Sequence, residues 1–353
     1  MKENTLSASP KKLRRLVAGV TIGIVSVGAL AVLPAGAQST SGVNISGSST
    51  VEPITSLVAE QYAGKNPKVS VRVDGPGTGD GFKLLCADSI DIADASRIIK
   101  PEEAAVCQGK GITYTELPIG IDGLTIIANK ASKVKCVDSA QIYGLFGPES
   151  DGTFATAQAL ATELGSTNTP LPTSGSIKKF TPGPESGTYD SFIELGEQKS
   201  IDARIAAGKV TTVVDEKGKT VAKEPIVSDG QFPNDNDIVK RVEATKNGIG
   251  FLGYAFYSEN KENLKEIAVL NSTTKTCVDP SVKTIGDGTY ALSRKLYVYP
   301  NNAKVAANAD VKSFLNFYIT KKSLTATVKE AGYVPLPAAT IATTISTWKA
   351  LAG

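Results

Sequence analysis

The stretch DGPGTGDGFK at 74–83 places four glycines and the hydroxyl of Thr78 within ten residues. Such a composition suits a turn that holds an anion through backbone N–H groups. A nucleotide-binding P-loop needs glycine directly before its lysine, but Phe82 precedes Lys83. The dinucleotide pattern G-x-G-x-x-G also fails, since no glycine stands at its last position. The stretch therefore predicts an anion-binding turn of neither nucleotide class.

Two other segments combine hydroxyl side chains with the start of a predicted helix. In ISGSSTVEPITSL, the residues 48–50 follow a predicted strand, and apolar residues recur at helical spacing after Pro53. In GPESGTYDSFIEL, the residues 186–188 precede a similar run, after a Thr-, Pro-, Ser- and Gly-rich stretch at 165–184 that predicts a loop. Each segment alone would indicate only an N-cap. Three such turns together predict a small tetrahedral oxyanion bound by N–H and hydroxyl donors.

A cation for that anion is predicted at the end of the segment DIADASR. Its isoleucine and alanines are typical of a strand, and Arg97 follows them. A guanidinium can donate two parallel hydrogen bonds to one phosphate or sulfate. Alone, Arg97 would more commonly form a surface ion pair, but its place at a strand end of the same α/β segment favours binding.

The first 37 residues predict a secretory signal peptide. A basic stretch at 11–15 precedes an apolar run and then Ala-Gly-Ala at 35–37, an A-x-A-type cleavage site. An uncleaved membrane anchor is the alternative, because the apolar run is long. The chain has 38 basic and 35 acidic residues, but without residues 1–37 it has 33 and 34, a formal charge of −1. The mature chain is therefore not basic, which argues against a nucleic-acid partner.

The chain has four cysteines and no histidine. In an exported protein two disulfides are the default. Of the three pairings, the short separation within the first pair favours Cys86–Cys107 together with Cys136–Cys277. A zinc site is the alternative, but the sequence has no C-x-x-C spacing. Without histidine, Ser-His-Asp and Cys-His nucleophiles and His-ligated metals are excluded. We therefore predict no metal, no other cofactor and no enzymatic activity.

Six segments, taken together, resemble the phosphate-binding proteins of Pst-type ABC importers, which belong to the periplasmic-binding-protein superfamily. They are ISGSSTVEPI, VDGPGTGDGFKLLC, DIADASR, IGIDGLTII, GPESGTYDSF and GIGFLGYAFY. Their order and spacing match over about residues 43–340. Any one of these motifs would mean little, but the combination is specific.

The resemblance implies an α/β fold of the type II periplasmic-binding-protein kind, with two lobes and a ligand cleft between them. Two hinge strands would join the lobes, within 119–130 and 290–302. The first lobe would then comprise 40–122 and 292–353, and the second lobe 123–291.

The resemblance also implies which residues surround the ligand. We expect them to be Ser49, Thr50, Val51, Thr78, Gly79, Arg97, Ser186, Gly187 and Thr188. Some relatives have an arginine shortly before the Ser-Gly-Thr turn, but this chain has none there. Arg97 is therefore expected to be the main cation.

A carboxylate commonly accepts the proton of hydrogen phosphate in this family. An ionised carboxylate accepts hydrogen bonds but cannot donate them, so it would reject the unprotonated sulfate ion. Asp80 is the first choice for this acceptor because it lies inside the glycine-rich turn, and Asp94 and Asp122 are the alternatives.

These inferences predict a protein that captures inorganic phosphate with high affinity and delivers it to the membrane permease of an ABC importer. We expect a monomer secreted across the inner membrane, either periplasmic, extracellular or associated with the cell envelope. Another tetrahedral oxyanion, sulfate or molybdate, is the alternative ligand. A secreted phosphatase is the alternative class of protein.

Overall fold

The computed structural model describes residues 42–353, so the predicted signal peptide and its alternative as an anchor lie outside the described residues. The strands are β1 (Val43–Gly47), β2 (Val71–Asp74), β3 (Ile92–Ala95), β4 (Leu117–Ala128), β5 (Cys136–Val137), β6 (Lys178–Thr181), β7 (Thr212–Val214), β8 (Thr220–Ala222), β9 (Gly230–Gln231), β10 (Gly248–Gly253), β11 (Lys265–Leu270), β12 (Cys277–Val278) and β13 (Ser293–Pro300).

The strands alternate with helices along the chain. The α-helices are α1 (Glu52–Ala63), α2 (Thr78–Cys86), α3 (Pro101–Gly109), α4 (Ser139–Phe146), α5 (Phe154–Glu163), α6 (Gly187–Phe192), α7 (Gln198–Ala206), α8 (Asp235–Ala244), α9 (Tyr254–Asn260), α10 (Val282–Gly286), α11 (Asn302–Ala307), α12 (Ala309–Tyr318), α13 (Val328–Glu330) and α14 (Ala338–Ala352). Two π-helical segments cover Ile193–Glu197 and Ser323–Thr327. Between residues 42 and 353, no helix has the length and apolar character needed to cross a membrane.

The sheet has two parts that share strand β4. In the first part β1 pairs in parallel with β2 and β3, while β13 runs antiparallel to β3 and to the 117–123 half of β4. In the second part the 124–128 half of β4 runs antiparallel to β10, which pairs in parallel with β6, and β6 with β9. The segments predicted as hinge strands, 119–130 and 290–302, thus cover most of β4 and all of β13, which pair with each other. The predicted lobe boundaries stay a prediction.

Helix α1 forms as the sequence predicts. Pro53 lies in its first turn, where a missing backbone N–H costs nothing. Ile54, Val58 and Tyr62 repeat at helical spacing and are buried against the sheet and α12, where the ring of Tyr62 meets Phe314 edge to face at 5.4 Å. Burying an apolar side chain of this size contributes roughly 1.5–3 kcal/mol. This helix therefore holds the turn at 48–50 on a rigid base.

Both predicted disulfides are confirmed. Cys86–Cys107 joins the end of α2 to α3, and Cys136–Cys277 joins β5 to β12. Closing loops of 21 and 141 residues contributes roughly 3–5 kcal/mol each by restricting the unfolded chain.

The stretch 165–184, predicted as a loop, contains strand β6, so that prediction is wrong over four residues. The strand contains two adjacent lysines, so its composition did not indicate a strand. Lys178 pairs with Asp229 at the surface, and the Lys179 side chain is buried and donates a hydrogen bond to Ser150 Oγ at 3.1 Å. Pairing with β10 therefore outweighs the polar composition.

Candidate anion-binding site

Three parallel strands of the first sheet end at one edge. β1 ends at Gly47, β2 at Asp74 and β3 at Ala95, and the turn at 48–50 and the glycine-rich turn at 75–77 follow the first two. Ligands of open α/β sheets bind outside the carboxyl ends of the strands. The helices α1 and α2 begin at the same edge, so their dipoles favour an anion there. The topology thus brings two of the predicted turns together.

The first and third predicted turns are in contact. Ser49 Oγ lies 3.4 Å from Asp190 Oδ2, and Thr50 Oγ1 lies 3.3 Å from Ser191 Oγ. A Cβ atom added to Gly187 would lie 3.6 Å from the carbonyl oxygen of Ser49, so the two backbones approach closely. Segments far apart in the sequence, on either side of the hinge strand β4, therefore form one group of hydroxyls.

The other residues of these two turns have structural contacts. The Ser186 hydroxyl accepts a hydrogen bond from the Thr188 N–H at 3.2 Å and thereby caps α6. The Val51 side chain is fully buried, and its N–H donates to the carbonyl of Ser48 at 3.0 Å. Val51 therefore supports the turn from the core side, with its side chain away from the hydroxyl group.

The glycine-rich turn packs against the first turn. A Cβ atom at Gly81 would lie 2.7 Å from Gly47 Cα, so only glycine lets α2 approach β1 this closely. Thr78 Oγ1 bonds with Ser96 Oγ and accepts from the Ser96 N–H, both at 3.1 Å. Gly79 is more open, since the nearest atom to an added Cβ would be an Arg97 Nη at 3.9 Å. At least one glycine of the opening motif thus serves packing.

The predicted cation, Arg97, lies beside this second turn. Its two Nη atoms donate to the two carboxylate oxygens of Glu103, each at 2.8 Å, and its guanidinium lies 5.5 Å from the ring centre of Phe82. Glu103 belongs to α3, which the Cys86–Cys107 bridge ties to α2. An incoming anion would have to compete with Glu103 for this guanidinium.

Asp80 is held by two lysines. Its carboxylate lies 2.9 Å from Lys83 Nζ and 2.5 Å from Lys217 Nζ, and Lys217 also donates to the carbonyl oxygen of Pro76. The hydrogen bonds from Lys217 and Lys83 lower the pKa of Asp80 below its usual range. We refer to Asp80, Lys83, Arg97, Glu103 and Lys217 as the outer cluster.

Asp94 lies in the core. Its side chain is fully buried beside Thr55, and neither carboxylate oxygen has a hydrogen-bond partner among residues 42–353. Burial raises its pKa to about 8. Its backbone carbonyl accepts from the N–H of Ser48 at 2.9 Å. Asp94 thus supports the first turn from below, and its carboxyl group is separate from the cleft hydroxyls.

Asp122 and Arg294 face each other on the paired strands β4 and β13. They are register partners in the β4–β13 pair, and Arg294 Nε lies 3.5 Å from Asp122 Oδ2. Burial raises the pKa of Asp122, and the charge of Arg294 partly opposes this shift. Arg294 also donates to Thr50 Oγ1 at 3.1 Å and Ser191 Oγ at 3.0 Å, and it pairs with Glu194. We refer to Thr50, Asp122, Ser191, Glu194 and Arg294 as the inner cluster.

Sequence reasoning did not single out four of the residues at this site, Asp190, Ser191, Glu194 and Arg294. Asp190 and Ser191 lie four positions after Ser186 and Gly187, which places them on the same helix face, and this spacing could have indicated them. Arg294 lies within the predicted hinge segment but gave no signal of its own. In the part of the chain described, no group of three or more cysteine or acidic side chains is arranged to hold a metal ion.

A sheet in two parts that share the long strand β4, with hydroxyl-bearing turns that meet near that strand, is the architecture of a two-lobed substrate-binding protein. A family model described as a PBP superfamily domain matches residues 34–322. The chain is 38% identical to Protein SphX of Synechococcus elongatus, over 84% of this chain and 78% of that protein. It is 35% identical to the phosphate-binding protein PstS of Staphylococcus saprophyticus, over 82% of this chain and 79% of the relative.

Solved structures agree. The crystal structure of a possible phosphate binding protein from Planctomyces limnophilus has a TM-score of 0.72 and 30% identity, covering 88% of this chain and 99% of the other. An ABC-type phosphate transport receptor from Vibrio cholerae shares the fold at a TM-score of 0.56 and 24% identity, covering 84% of this chain and 100% of that one. The chain therefore belongs to the PBP superfamily, in the group of PstS-like phosphate-binding proteins, and the predicted fold class is confirmed.

Proposed function

We propose that this chain binds inorganic phosphate outside the cytoplasm and delivers it to the membrane permease of an ABC importer. One observation carries the proposal: hydroxyls from both sides of the hinge strand β4, Thr50 and Ser191, lie 3.3 Å apart. The names of the relatives, phosphate-binding protein PstS and ABC-type phosphate transport receptor, support the ligand and the permease partner. Monomeric capture in the periplasm or at the cell envelope fits this role.

The hydroxyls and backbone N–H groups of the three turns are the donors we propose for the phosphate oxygens. Ser49 and Thr50 belong to the first turn, Thr78 and Gly79 to the second, and Ser186, Gly187 and Thr188 to the third. Because the first turn precedes β4 in the chain and the third follows it, we propose that they belong to different lobes, so a ligand that contacts both binds the closed form better than an open one. Such a difference in affinity is what drives closure.

Carboxylates beside the hydroxyls supply the selectivity we propose. Asp122 and Asp190 flank the Thr50–Ser191 contact, and burial raises the pKa of both carboxyl groups. An ionised carboxylate at this place accepts a hydrogen bond from the protonated oxygen of hydrogen phosphate and repels sulfate. Asp80 already binds two lysines, so we propose Asp122 in its place as the first candidate for the discriminating acceptor.

Calorimetric titration tests this function. Residues 38–353, stripped of bound ligand, are titrated with phosphate, sulfate and molybdate at neutral pH. We expect saturable binding of phosphate with a 1:1 stoichiometry and no heat from sulfate or molybdate. Equal binding of all three ions would show that no carboxylate selects phosphate at this site. Absence of phosphate binding would refute the proposal.

A further inference from the structure

Arg294 is the arginine of the inner cluster, and only 15% of its side chain is exposed. Its Nη2 group donates to Thr50 Oγ1 at 3.1 Å and to Ser191 Oγ at 3.0 Å. These hydroxyls come from the two chain segments that flank β4. A guanidinium held so far from water is stable only when it is paired and hydrogen-bonded, so its position is well determined.

Asp122 provides the fixed partner of this guanidinium. The register of β13 against β4 sets the two residues opposite each other, with Arg294 Nε 3.5 Å from Asp122 Oδ2. Within residues 42–353 neither of these two atoms has a hydrogen-bond partner. The contact therefore orients the guanidinium by charge while leaving the Nε–H free to donate.

Glu194 contacts the same guanidinium from the exposed side. Its carboxylate pairs with Arg294 Nη1, and 52% of its side chain is exposed. A carboxylate matches the charge and the oxygen geometry of one edge of a phosphate ion. Glu194 is thus an anion of the chain itself on the Nη1 group, next to the Nη2 group that donates to the two hydroxyls, and it can withdraw into water at little cost.

Arg97 is less available. Both its Nη groups are bound to Glu103 at 2.8 Å, in the two-fold geometry that makes arginine–carboxylate pairs strong. Its side chain is 33% exposed, and its hydrogen bonds go to Glu103 and to the carbonyl oxygen of the neighbouring Ile98. Releasing it for a ligand would break two charge-assisted hydrogen bonds, whereas Glu194 gives up a more exposed contact.

We propose that Arg294, positioned by Asp122, is the principal cation of the anion site, and that the carboxylate of Glu194 competes with the ligand for it. This inference rests on the proposed function, since it names the group that binds the phosphate charge. It assigns opposite effects to the two residues of one ion pair. Removing Arg294 weakens binding, while neutralising Glu194 strengthens it.

The test compares calorimetric phosphate affinities of the mature chain with those of four variants, Arg294→Gln, Arg294→Lys, Arg97→Gln and Glu194→Gln. Loss of at least two charge-assisted hydrogen bonds predicts that Arg294→Gln raises Kd by about thirtyfold or more. Lysine keeps the charge without the planar geometry, so Arg294→Lys should lie between this variant and the wild type. Arg97→Gln should change Kd by less than about threefold.

Glu194→Gln separates competition from a purely structural ion pair, because a structural ion pair would not make its removal strengthen phosphate binding. We expect its Kd to fall by about threefold, because the ligand no longer displaces an internal anion. Glu185→Gln, which removes an exposed charge from the same segment, is the matched control and should leave Kd unchanged. Melting temperatures without phosphate show which variants fold. If Arg294→Gln fails to fold, Arg294→Lys and Glu194→Gln decide the question.

Three results distinguish failure of the roles assigned to Arg294 and Glu194 from failure of the proposed phosphate-binding function. Phosphate binding by the wild type, with Arg294→Gln or Arg294→Lys within twofold of it, would overturn the role of Arg294 and leave the proposed function intact. Weaker binding by Glu194→Gln would overturn the competition and make Glu194 a ligand-supporting residue. No binding by the wild type would refute the function itself, and the inference with it.

Discussion

The inner and outer clusters each contain an arginine held by a carboxylate, but they differ in what else the guanidinium contacts. Arg294 is 15% exposed and donates to hydroxyls from both sides of β4. Arg97 is 33% exposed, and both of its Nη groups go to one carboxylate of its own lobe segment. On our proposal, donors that face hydroxyls of two separate chain segments make Arg294 the binding arginine and leave Arg97 a structural one.

Two aspartates near the turns also differ in their surroundings. Asp94, beneath the first turn, is buried without a hydrogen-bond partner among residues 42–353, whereas Asp80 of the outer cluster binds two lysines. Burial raises the pKa of Asp94 to about 8, and the lysines lower that of Asp80. The two carboxyl groups should therefore affect stability with opposite dependence on pH.

The largest effect is expected for Asp94→Asn. Between its usual pKa near 4 and the folded value of about 8, Asp94 is ionised in the unfolded chain and neutral in the folded protein. The unfolded state then binds fewer protons, so stability falls as pH rises, by up to about 1.4 kcal/mol per pH unit. Asparagine does not ionise, so the variant does not lose this stability as pH rises. It should match the wild type near pH 4 and exceed it increasingly toward pH 8.

Denaturant unfolding at several pH values measures this difference. Asp80→Asn is the control with the opposite sign, because a lowered pKa stabilises the fold above the usual pKa and that stability is lost as pH falls. Since Asp80 is at the surface, solvent screening keeps its effect small. A free energy of unfolding for Asp94→Asn that parallels the wild type at every pH would show that Asp94 does not titrate in this range.

A smaller but functional effect is expected for Thr50→Val. The substitution keeps the shape of the side chain but removes the hydroxyl that contacts both Ser191 and Arg294. A lost hydrogen bond to a charged group costs about 1.5–3 kcal/mol, so the phosphate Kd should rise by about tenfold or more. Thr343→Val, at an exposed position of α14, is the control. An unchanged Kd for Thr50→Val would move the ligand away from the inner cluster.

The smallest effect is expected for Lys217→Ala. Lys217 lies between β7 and β8 and crosses to Asp80 and to the Pro76 carbonyl of the glycine-rich turn. With 56% of its side chain exposed, this ion pair contributes about 0.2–1 kcal/mol, so phosphate release should accelerate by less than about fivefold. Stopped-flow release rates at low and high salt measure this, with the exposed Lys219→Ala as control. A larger change would show that the outer cluster contributes more to phosphate binding than the inner cluster does.

Local sequence patterns predicted much of the fold. Pro53 and the apolar spacing that follows it predicted α1, and the cysteine spacing predicted both disulfides. The resemblance indicated extended segments at 119–130 and 290–302, where β4 and β13 lie; their role as hinges stays a prediction. The two lysines of β6 did not indicate a strand. This strand forms because it pairs with β10 in the folded chain, which local composition does not show.

The site was predictable only in part. The three turns lie where the motifs indicate, because each follows its own strand. The choice between the two arginines depends on contacts that no motif encodes. Arg294 faces Asp122 because of the register between β13 and β4, and Arg97 is bound by a glutamate of the next helix. Register and side-chain pairing are tertiary properties, so the sequence indicated the positions of the turns better than the contacts of the side chains around them.

A crystal structure of the mature chain with phosphate tests the central claim most directly. We expect the phosphorus atom to lie in the inner cluster, with phosphate oxygens within hydrogen-bond distance of Thr50 and Arg294 and with Glu194 turned into solvent. Arg97 should still be bound to Glu103. A phosphate bound to Arg97, with Arg294 still paired to Glu194, would contradict this account.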